Sequence, residues 1–238
     1  MVIHTTVKAR DSHPAYVQAK AGDAQAAYTL ASNLLSPAAL AQLELLIGNR
    51  PAVLLPVVAD EESGFNAIPD AMAQIISWRL GLEVNAGVII QTNMVGHTRA
   101  LAFQRFVTPA TFDGPVGTGV SYVLVDDHVG LGGTLANLRG HVEERRGRVI
   151  AVTTLTESRD ARVLRLRPET QTVLWSTHGS ALDELWQSQF GYGIDCLTEV
   201  EAQILCRQHS VAAIENLLAQ AAIEARSRGL QTAVDPDG

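Results

Sequence analysis

The chain has 238 residues, 47% of them hydrophobic and 18% charged. That is room for one large domain or a medium one with an appendage, and the balance of a chain that buries a core rather than staying disordered. A formal net charge of −7 sets an average field that repels phosphate polymers, which argues against a nucleic-acid-coating role. No apolar run approaches the ~20 residues of a membrane helix, and Met1-Val2-Ile3-His4-Thr5-Thr6 has neither the charged nor the apolar region of a signal peptide. Cys196 and Cys206 are too few for a disulfide framework or a zinc quartet. The expected setting is cytoplasmic, with reduced thiols and no membrane.

From Ser12 to Gly48 the sequence is rich in Ala, Leu and Gln, with Tyr28, Leu30, Leu34 and Leu35, then Leu40, Leu43, Leu46 and Ile47, at helical spacing. Two or three helices fit, broken near Gly22-Asp23 and Ser36-Pro37, so residues 1–50 read as a helical cap. Over residues 51–176 the texture changes. Short apolar runs, Ala52 to Val58, Ala86 to Ile90, Ser121 to Val125, Arg148 to Thr154 and Thr172 to Trp175, alternate with helical segments. This alternation predicts an α/β core with a parallel sheet flanked by helices on both faces. Pro69 and Gly81 bracket one crossover helix with Met72, Ile75, Ile76 and Leu80 inward; Thr134 to Arg146 forms another, with Leu135, Leu138 and Val142 on one face and Gly147 as its stop. Residues 177–238 read as a hood-like and helical extension, with a capping box at Thr198 to Glu201, a last helix marked by Ile214, Leu217, Leu218 and Ile223, and a frayed end.

The most informative stretch is Tyr122-Val123-Leu124-Val125-Asp126-Asp127-His128-Val129-Gly130-Leu131-Gly132-Gly133-Thr134. A buried strand is expected to deliver two acids to its C-terminal edge, where open α/β sheets place ligands, and a glycine-containing loop then runs into a helix. Backbone N–H groups of such a loop, with the partial positive charge of the helix start, suit a phosphate. The acids suit neutral vicinal hydroxyls. Phosphate and diol together describe a ribose 5-phosphate.

This segment resembles the phosphoribosyl-pyrophosphate (PRPP) motif of type I phosphoribosyltransferases: four apolar residues, two acids, then a Thr/Gly-rich turn. By position the resemblance implies that Asp126 and Asp127 hold the ribose hydroxyls while Gly130, Leu131, Gly132, Gly133 and Thr134 cradle the 5-phosphate. Two departures stand out, since Gly130 and Leu131 occupy places where Thr is usual and His128 a usually apolar one. Upstream, Leu54-Leu55-Pro56-Val57-Val58, a loop ending Ser63-Gly64-Phe65-Asn66 and the helix to Arg79-Leu80-Gly81-Leu82 resemble the competence-associated amidophosphoribosyltransferase-like branch. By that likeness Ser63 and Gly64 belong to the pyrophosphate loop. Asp60-Glu61-Glu62 depart from it in charge, because acids repel a polyanion unless they face solvent or help to hold a metal.

The stretch from Gln91 to Gly119 reads as a long irregular segment. In the family a mobile loop at this place closes over the reacting ribose, which makes Arg99 or Arg105 the expected cation for the leaving pyrophosphate; His97 is the third cation of the segment. Only Lys8 and Lys20 are lysines, so a loop cation has to be Arg or His. Gln189-Phe190-Gly191-Tyr192-Gly193-Ile194-Asp195 resembles the Gly-Tyr-x-Leu-Asp segment of the hypoxanthine-guanine branch. That match implies Asp195 as a carboxylate on Mg²⁺ and Trp186, Phe190 or Tyr192 as base-stacking candidates. The activity implied is transfer of ribose 5-phosphate from PRPP to a base or amine with release of pyrophosphate, Mg²⁺ as cofactor, and a homodimer left open. Two alternatives stand beside it: a regulatory protein that binds PRPP or a nucleotide without transfer, and an interaction adaptor built on the helical ends.

Overall fold

The computed structural model describes residues 1–61, 64–85, 88–93, 95, 101–158 and 161–233. Two compact units make up the chain: Met1–Asn93, Thr111–Gly130 and Asn137–Arg162 form the first, and Met94–Ala110, Leu131–Ala136 and Val163–Gly238 the second. The first unit opens with β1 (Val2–Ile3), α1 (Val7–Asp11), α2 (Tyr16–Lys20), α3 (Ala24–Leu34) and α4 (Pro37–Ile47). Strand β2 (Val53–Pro56), the short pair β3 (Asp60–Glu61) and β4 (Gly64–Phe65), helix α5 (Ile68–Leu80), β5 (Glu83–Val84) and β6 (Ile90–Gln91) follow. After α6 (Ala102–Val107), which belongs to the second unit, come β7 (Phe112–Asp113), β8 (Ser121–Val129), α7 (Gly133–Glu144) and β9 (Arg148–Glu157). The second unit closes with α8 (Pro168–Phe190), a 3₁₀ turn at Ile194–Cys196, α9 (Glu199–Cys206) and α10 (Val211–Ser227). Among the described residues no single helix is long and apolar enough to cross a membrane.

The α/β expectation holds. A five-stranded sheet runs in the order β1-β9-β8-β2-β5, and every neighbouring pair in it is parallel. Strand β8 is central: β2 pairs with it from Tyr122 to Val125, whereas β9 follows it to Val129. Val123, Leu124 and Val125 have no exposed surface, which explains why this strand reads as a continuous apolar run rather than an alternating one. Helix α5 starts with Pro69 in its first turn and stops at Gly81, whose φ of 67° is the left-handed conformation that closes a helix cheaply only with glycine. The N-terminal helices are part of the same core, since Ala27, Leu30 and Leu43 cluster with Leu54, Ile76 and Val123. Breaks fall at the two expected places, with Asp23 and Ser36 as the N-caps of α3 and α4. Tyr28 and Leu46, placed on the apolar face by spacing alone, are exposed.

Several expected elements differ. The run Thr172 to Trp175 lies inside α8 rather than in a strand, because the residues around it continue a helical pattern for several turns and Leu174, Leu182 and Trp186 bury one side of it. That helix breaks at Gly179 (φ 62°, ψ −156°). The run Ala86 to Ile90 is not one strand: β5 precedes it, β6 begins at its end, and Ala86 and Gly87 lie outside the described residues. The stretch Gln91 to Gly119 is not uniformly irregular, since it contains α6 and β7. Strand β1 carries no sequence signal beyond two residues, yet it completes the sheet edge on β9. Finally, α7 stops before Gly147: the left-handed residue is Arg146, with φ 65°. Gly147 is needed for space, because a Cβ there would stand 2.7 Å from both Val116 Cγ1 and Val142 Cγ1 and 3.1 Å from Tyr122 Cε2.

His4 fastens the start of the chain. Its Nδ1 accepts the Ser36 N–H at 3.2 Å, so the proton sits on Nε2, which donates to Thr153 Oγ1 at 2.9 Å. Burial penalises the imidazolium and lowers the His4 pKa from 6.5 to about 4. The unfolded chain therefore binds a proton at His4 that the folded chain refuses, and stability falls as pH drops from 6.5 to about 4. The expected loss over that window is up to about 3 kcal/mol, read from urea unfolding at a series of pH values. In His4→Gln that slope should vanish although the protein is weaker throughout; an unchanged slope would show that His4 is not its source.

Candidate functional site

The two acids lie in the half of β8 that extends past β2, and there they are strand residues: Asp126 faces Thr154 of β9, and the strand continues through His128 and Val129. The sequence placed them at the strand end; β9 extends the ladder beyond them. Both are buried, Asp126 at 7% and Asp127 at 5% exposure. A carboxylate in such a place needs a partner, because desolvation disfavours its charge. Asp127 Oδ2 receives Lys20 Nζ at 3.1 Å. Burial alone would raise the Asp127 carboxyl, but the Lys20 charge and hydrogen bond, followed by Arg10 and His128, outweigh it and hold the group below its ordinary value. Asp126 Oδ1 accepts the Asp127 N–H at 2.8 Å.

The cations come from the helical N-terminus. Lys20 is the last residue of α2, a helix held by the wholly buried Ala19, whose carbonyl accepts the Ala67 N–H at 3.3 Å. Arg10, at 8% exposure, stacks over the Tyr16 ring at 4.8 Å and donates to Thr156 Oγ1 at 2.8 Å. Thr156 gives its own proton to the Asp127 carbonyl at 3.2 Å, so its other contact, 2.9 Å from His128 Nδ1, must be donated by the imidazole. His128 Nε2 lies 3.1 Å from Ser158 Oγ. Asp127, Lys20, Arg10, Thr156 and His128 thus form one hydrogen-bonded and ionic group within the first unit. The sequence reading missed Lys20 and Arg10, and the scarcity of lysine was the one signal that could have singled out Lys20.

Only Gly130, Leu131 and Gly132 separate β8 from α7. From Leu131 onward the turn belongs to the second unit, where its backbone is fastened: the Thr198 hydroxyl donates to the Leu131 carbonyl at 2.7 Å. Gly132 has φ +94°, and a Cβ on it would meet Leu164 Cδ2 at 2.7 Å and Thr198 Cγ2 at 3.3 Å. A Cβ on Gly133 would meet Glu201 Oε1 at 2.7 Å. Gly132 is therefore demanded by its backbone conformation and its close neighbours, whereas Gly133 faces only the end of the Glu201 side chain. Thr134 is half-buried in the first turn of α7.

The remaining expected site residues are placed as follows. Trp186 is 1% exposed and sits T-shaped on Phe106 at 5.3 Å, so its indole is a core side chain with no face to offer a base. Phe190 and Tyr192 continue that aromatic group at 4.5 and 6.2 Å spacings, and burial pushes the Tyr192 hydroxyl up to about 12. Asp195 is exposed on the 3₁₀ turn. Arg105 is a half-buried residue of α6 in the second unit rather than a loop cation, and burial lowers its pKa. Gly64 is in β4, while Ser63, His97, Arg99 and the side chains of Asp60 and Glu61 lie outside the described residues. Among the described residues no three His, Cys, Asp or Glu side chains gather at metal-binding spacing.

No family model matches the chain. In sequence it is similar to Protein TraN of Escherichia coli, 41% identical over 217 residues, which are 91% of this chain and 48% of that protein. It is also similar to an uncharacterized protein of Haemophilus influenzae, 39% identical over 131 residues, 55% of this chain and 29% of the other. The chain thus spans half or less of the length of the curated relatives it matches. In structure it is similar to the adenine phosphoribosyltransferase of Thermoanaerobacter pseudethanolicus, with TM-score 0.35 and 21% identity over 57% of this chain and 70% of that one. A purine phosphoribosyltransferase of Pyrococcus horikoshii gives TM-score 0.31 and 16% identity over 66% and 88%. The α/β assignment rests on the sheet order and register themselves.

Removing the cation from Asp127 tests the group directly. Lys20→Met should cost about 2–3 kcal/mol, at or below the lower end of what breaking a buried pair costs, because the Lys20 side chain keeps 21% exposure and Arg10 remains nearby. The Asp127 carboxyl should titrate at higher pH in the variant than in the wild type, read by carboxyl NMR. Since a lowered carboxyl stabilises the fold above its unfolded value and loses that contribution as pH falls through the folded one, acid unfolding should begin earlier in the variant. Unchanged stability at neutral pH would mean that the ion pair carries no weight.

Proposed function

We propose that the segment from Asp126 to Thr134 recognises a ribose 5-phosphate and that the chain acts as a phosphoribosyltransferase, with PRPP as donor and a nitrogenous base or amine as acceptor. The observation that carries this reading is the succession of a central parallel strand with two buried acids, a three-residue turn with Gly132 at positive φ, and a helix starting on the next residue. Carboxylates accept from vicinal hydroxyls and N–H groups at a helix start hold phosphate, so the residue types in this succession suit a phosphorylated sugar. The likeness of Gly64-Phe65-Asn66 and the following helix to the competence-associated branch supports the same reading.

In the transfer, the bond from the anomeric carbon to pyrophosphate oxygen breaks and its electron pair leaves with pyrophosphate. The carbon–nitrogen bond forms, and the nitrogen releases its proton to solvent or to a base. Positive character develops on the ribose ring, as in glycosyl transfer generally, so orientation and charge stabilisation matter more than a strong nucleophile from the protein. Asp126 and Asp127 would fix the ribose through its hydroxyls and the turn would hold the 5-phosphate. Mg²⁺ bound with PRPP supplies charge neutralisation on pyrophosphate; the described residues form no cage for it, so the ligand's own oxygens and water would be its main partners, with Asp195 as a single candidate carboxylate. A cytoplasmic location and a homodimer belong to the same proposal.

The Lys20–Asp127 pair favours a second reading, a regulatory protein that binds PRPP without transferring it, because one acid meant for ribose is already neutralised within the fold. Calorimetry with PRPP and Mg²⁺, followed by a pyrophosphate-release assay over a panel of bases and amines, separates the two. Replacing Asp126 and Asp127 together by Asn should weaken binding at least tenfold, since each charge-assisted hydrogen bond contributes about 1.5–3 kcal/mol. Binding with pyrophosphate release supports transfer and binding without it supports sensing. No binding by the wild type contradicts both.

A further inference from the structure

Lys20 Nζ donates to Asp127 Oδ2 at 3.1 Å, and its side chain keeps 21% exposure against 7% for Asp127, so Lys20 is the partner more open to solvent. The pair stands where β2 ends on β8 and β9 alone continues the ladder. The end of α2 that carries Lys20 is fixed. Ala19 is wholly buried and its carbonyl accepts the Ala67 N–H, while Gly22, at φ +101°, turns the chain past the Phe65 carbonyl. The side chain is the part that can move, because a lysine ammonium rides on a flexible four-carbon stem and turns readily between acceptors.

Arg10 and His128 also act on Asp127, but each is engaged elsewhere. Arg10 is 8% exposed and donates to Thr156 and Asp11, and the His128 ring lies between Thr156 and Ser158. The other lysine, Lys8, is exposed on α1. In PRPP the anomeric carbon, which carries the pyrophosphate, is bonded directly to the carbon that carries the 2-hydroxyl. A carboxylate that accepts from the diol therefore stands beside the leaving group, and its charge repels that polyanion. A cation already seated on the same carboxylate is beside the pyrophosphate as well.

We propose that Lys20 is the cation of the leaving group: when PRPP binds, the ribose hydroxyls donate to Asp127 and the Lys20 ammonium turns to the pyrophosphate. This inference rests on the reading of Asp126 and Asp127 as the acids that hold the ribose. As the bond from the anomeric carbon to pyrophosphate oxygen breaks, its electron pair goes to pyrophosphate. The ammonium keeps its proton and donates a hydrogen bond to the oxygen on which negative charge grows. Before binding, the pair keeps Asp127 ionised in a buried place and holds the ammonium where the leaving group will lie. Ribose 5-phosphate, which lacks the pyrophosphate, makes the hydroxyl contacts without this one.

Calorimetry with PRPP and with ribose 5-phosphate, Mg²⁺ present in both and at mildly alkaline pH so that Asp127 stays ionised, reads the assignment as a ratio of two affinities. In Lys20→Gln the preference for PRPP over ribose 5-phosphate should fall at least about tenfold, the scale of one charge-assisted hydrogen bond. A purely structural role, or one exerted on the ribose through Asp127, would change both affinities alike. An unchanged ratio would therefore overturn the assignment and leave the ribose site standing. Failure of the wild type to bind either ligand would overturn the ribose site and the assignment with it. Should the variant fail to fold, the wild type gives an independent readout. Because Lys8 and Lys20 are the two lysines of the chain, isotope-labelled lysine yields one side-chain NMR signal from each. PRPP should move the Lys20 signal further than ribose 5-phosphate does, with Lys8 as the unmoved control; equal movement with the two ligands would overturn the assignment.

Discussion

Two carboxylates at the end of the buried apolar run Tyr122 to Val125 are the constraint around which the first unit is arranged. Strand β8 runs from Tyr122 to Val125 without meaningful exposure and then carries Asp126 and Asp127 at 7% and 5%. An unpaired carboxylate there would be costly enough to be driven neutral. The chain answers with a cation brought more than a hundred residues along the sequence, Lys20 on Asp127 Oδ2, and with Arg10 and His128 arranged around Thr156. The N-terminal helices do more than cover apolar surface: they bring Lys20 and Arg10 to Asp127.

That arrangement has a functional consequence. A carboxylate kept charged in a buried place, as Asp127 is, is preorganised to accept hydrogen bonds, which is what the proposed recognition of a diol requires. The same acids are not idle, because Asp127 already holds a lysine, and a ligand must share or displace it. In the second unit the glycine turn is likewise held by its own chain, through the Thr198 hydroxyl on the Leu131 carbonyl. Each half of the proposed ligand-binding segment thus has partners within its own unit. This makes affinity, rather than the presence of the right residue types, the quantity that decides whether the chain transfers, senses or does neither.

The sheet was legible because its strands are buried on both faces and therefore read as short apolar runs, as at Leu54, Val123 and Ala151. Helix α5 was legible because Pro69 and Gly81 mark its ends. The two-residue strand β1 was not, since its pairing to β9 is a tertiary fact with no local pattern. The run at Thr172 to Trp175 misled because a short apolar stretch does not by itself distinguish a strand from one turn of a longer helix. At the site, the two acids and the glycines were legible from type and spacing. Their partners were not, because Lys20 and Thr198 reach the segment through the fold, and a glycine that makes room for a phosphate has the same letter as one that makes room for Thr198. The aromatic group at Trp186 shows the same ambiguity, resolved in favour of the core.

The measurement that bears most directly on the central claim is a crystal structure of the chain with PRPP and Mg²⁺. The expected result is the ribose hydroxyls on the carboxylates of Asp126 and Asp127, with Lys20 moved or shared, and the 5-phosphate on the backbone N–H groups of residues 131 to 134. A ligand bound elsewhere, or crystals that hold Lys20 on Asp127 with no ligand at millimolar PRPP, would contradict it.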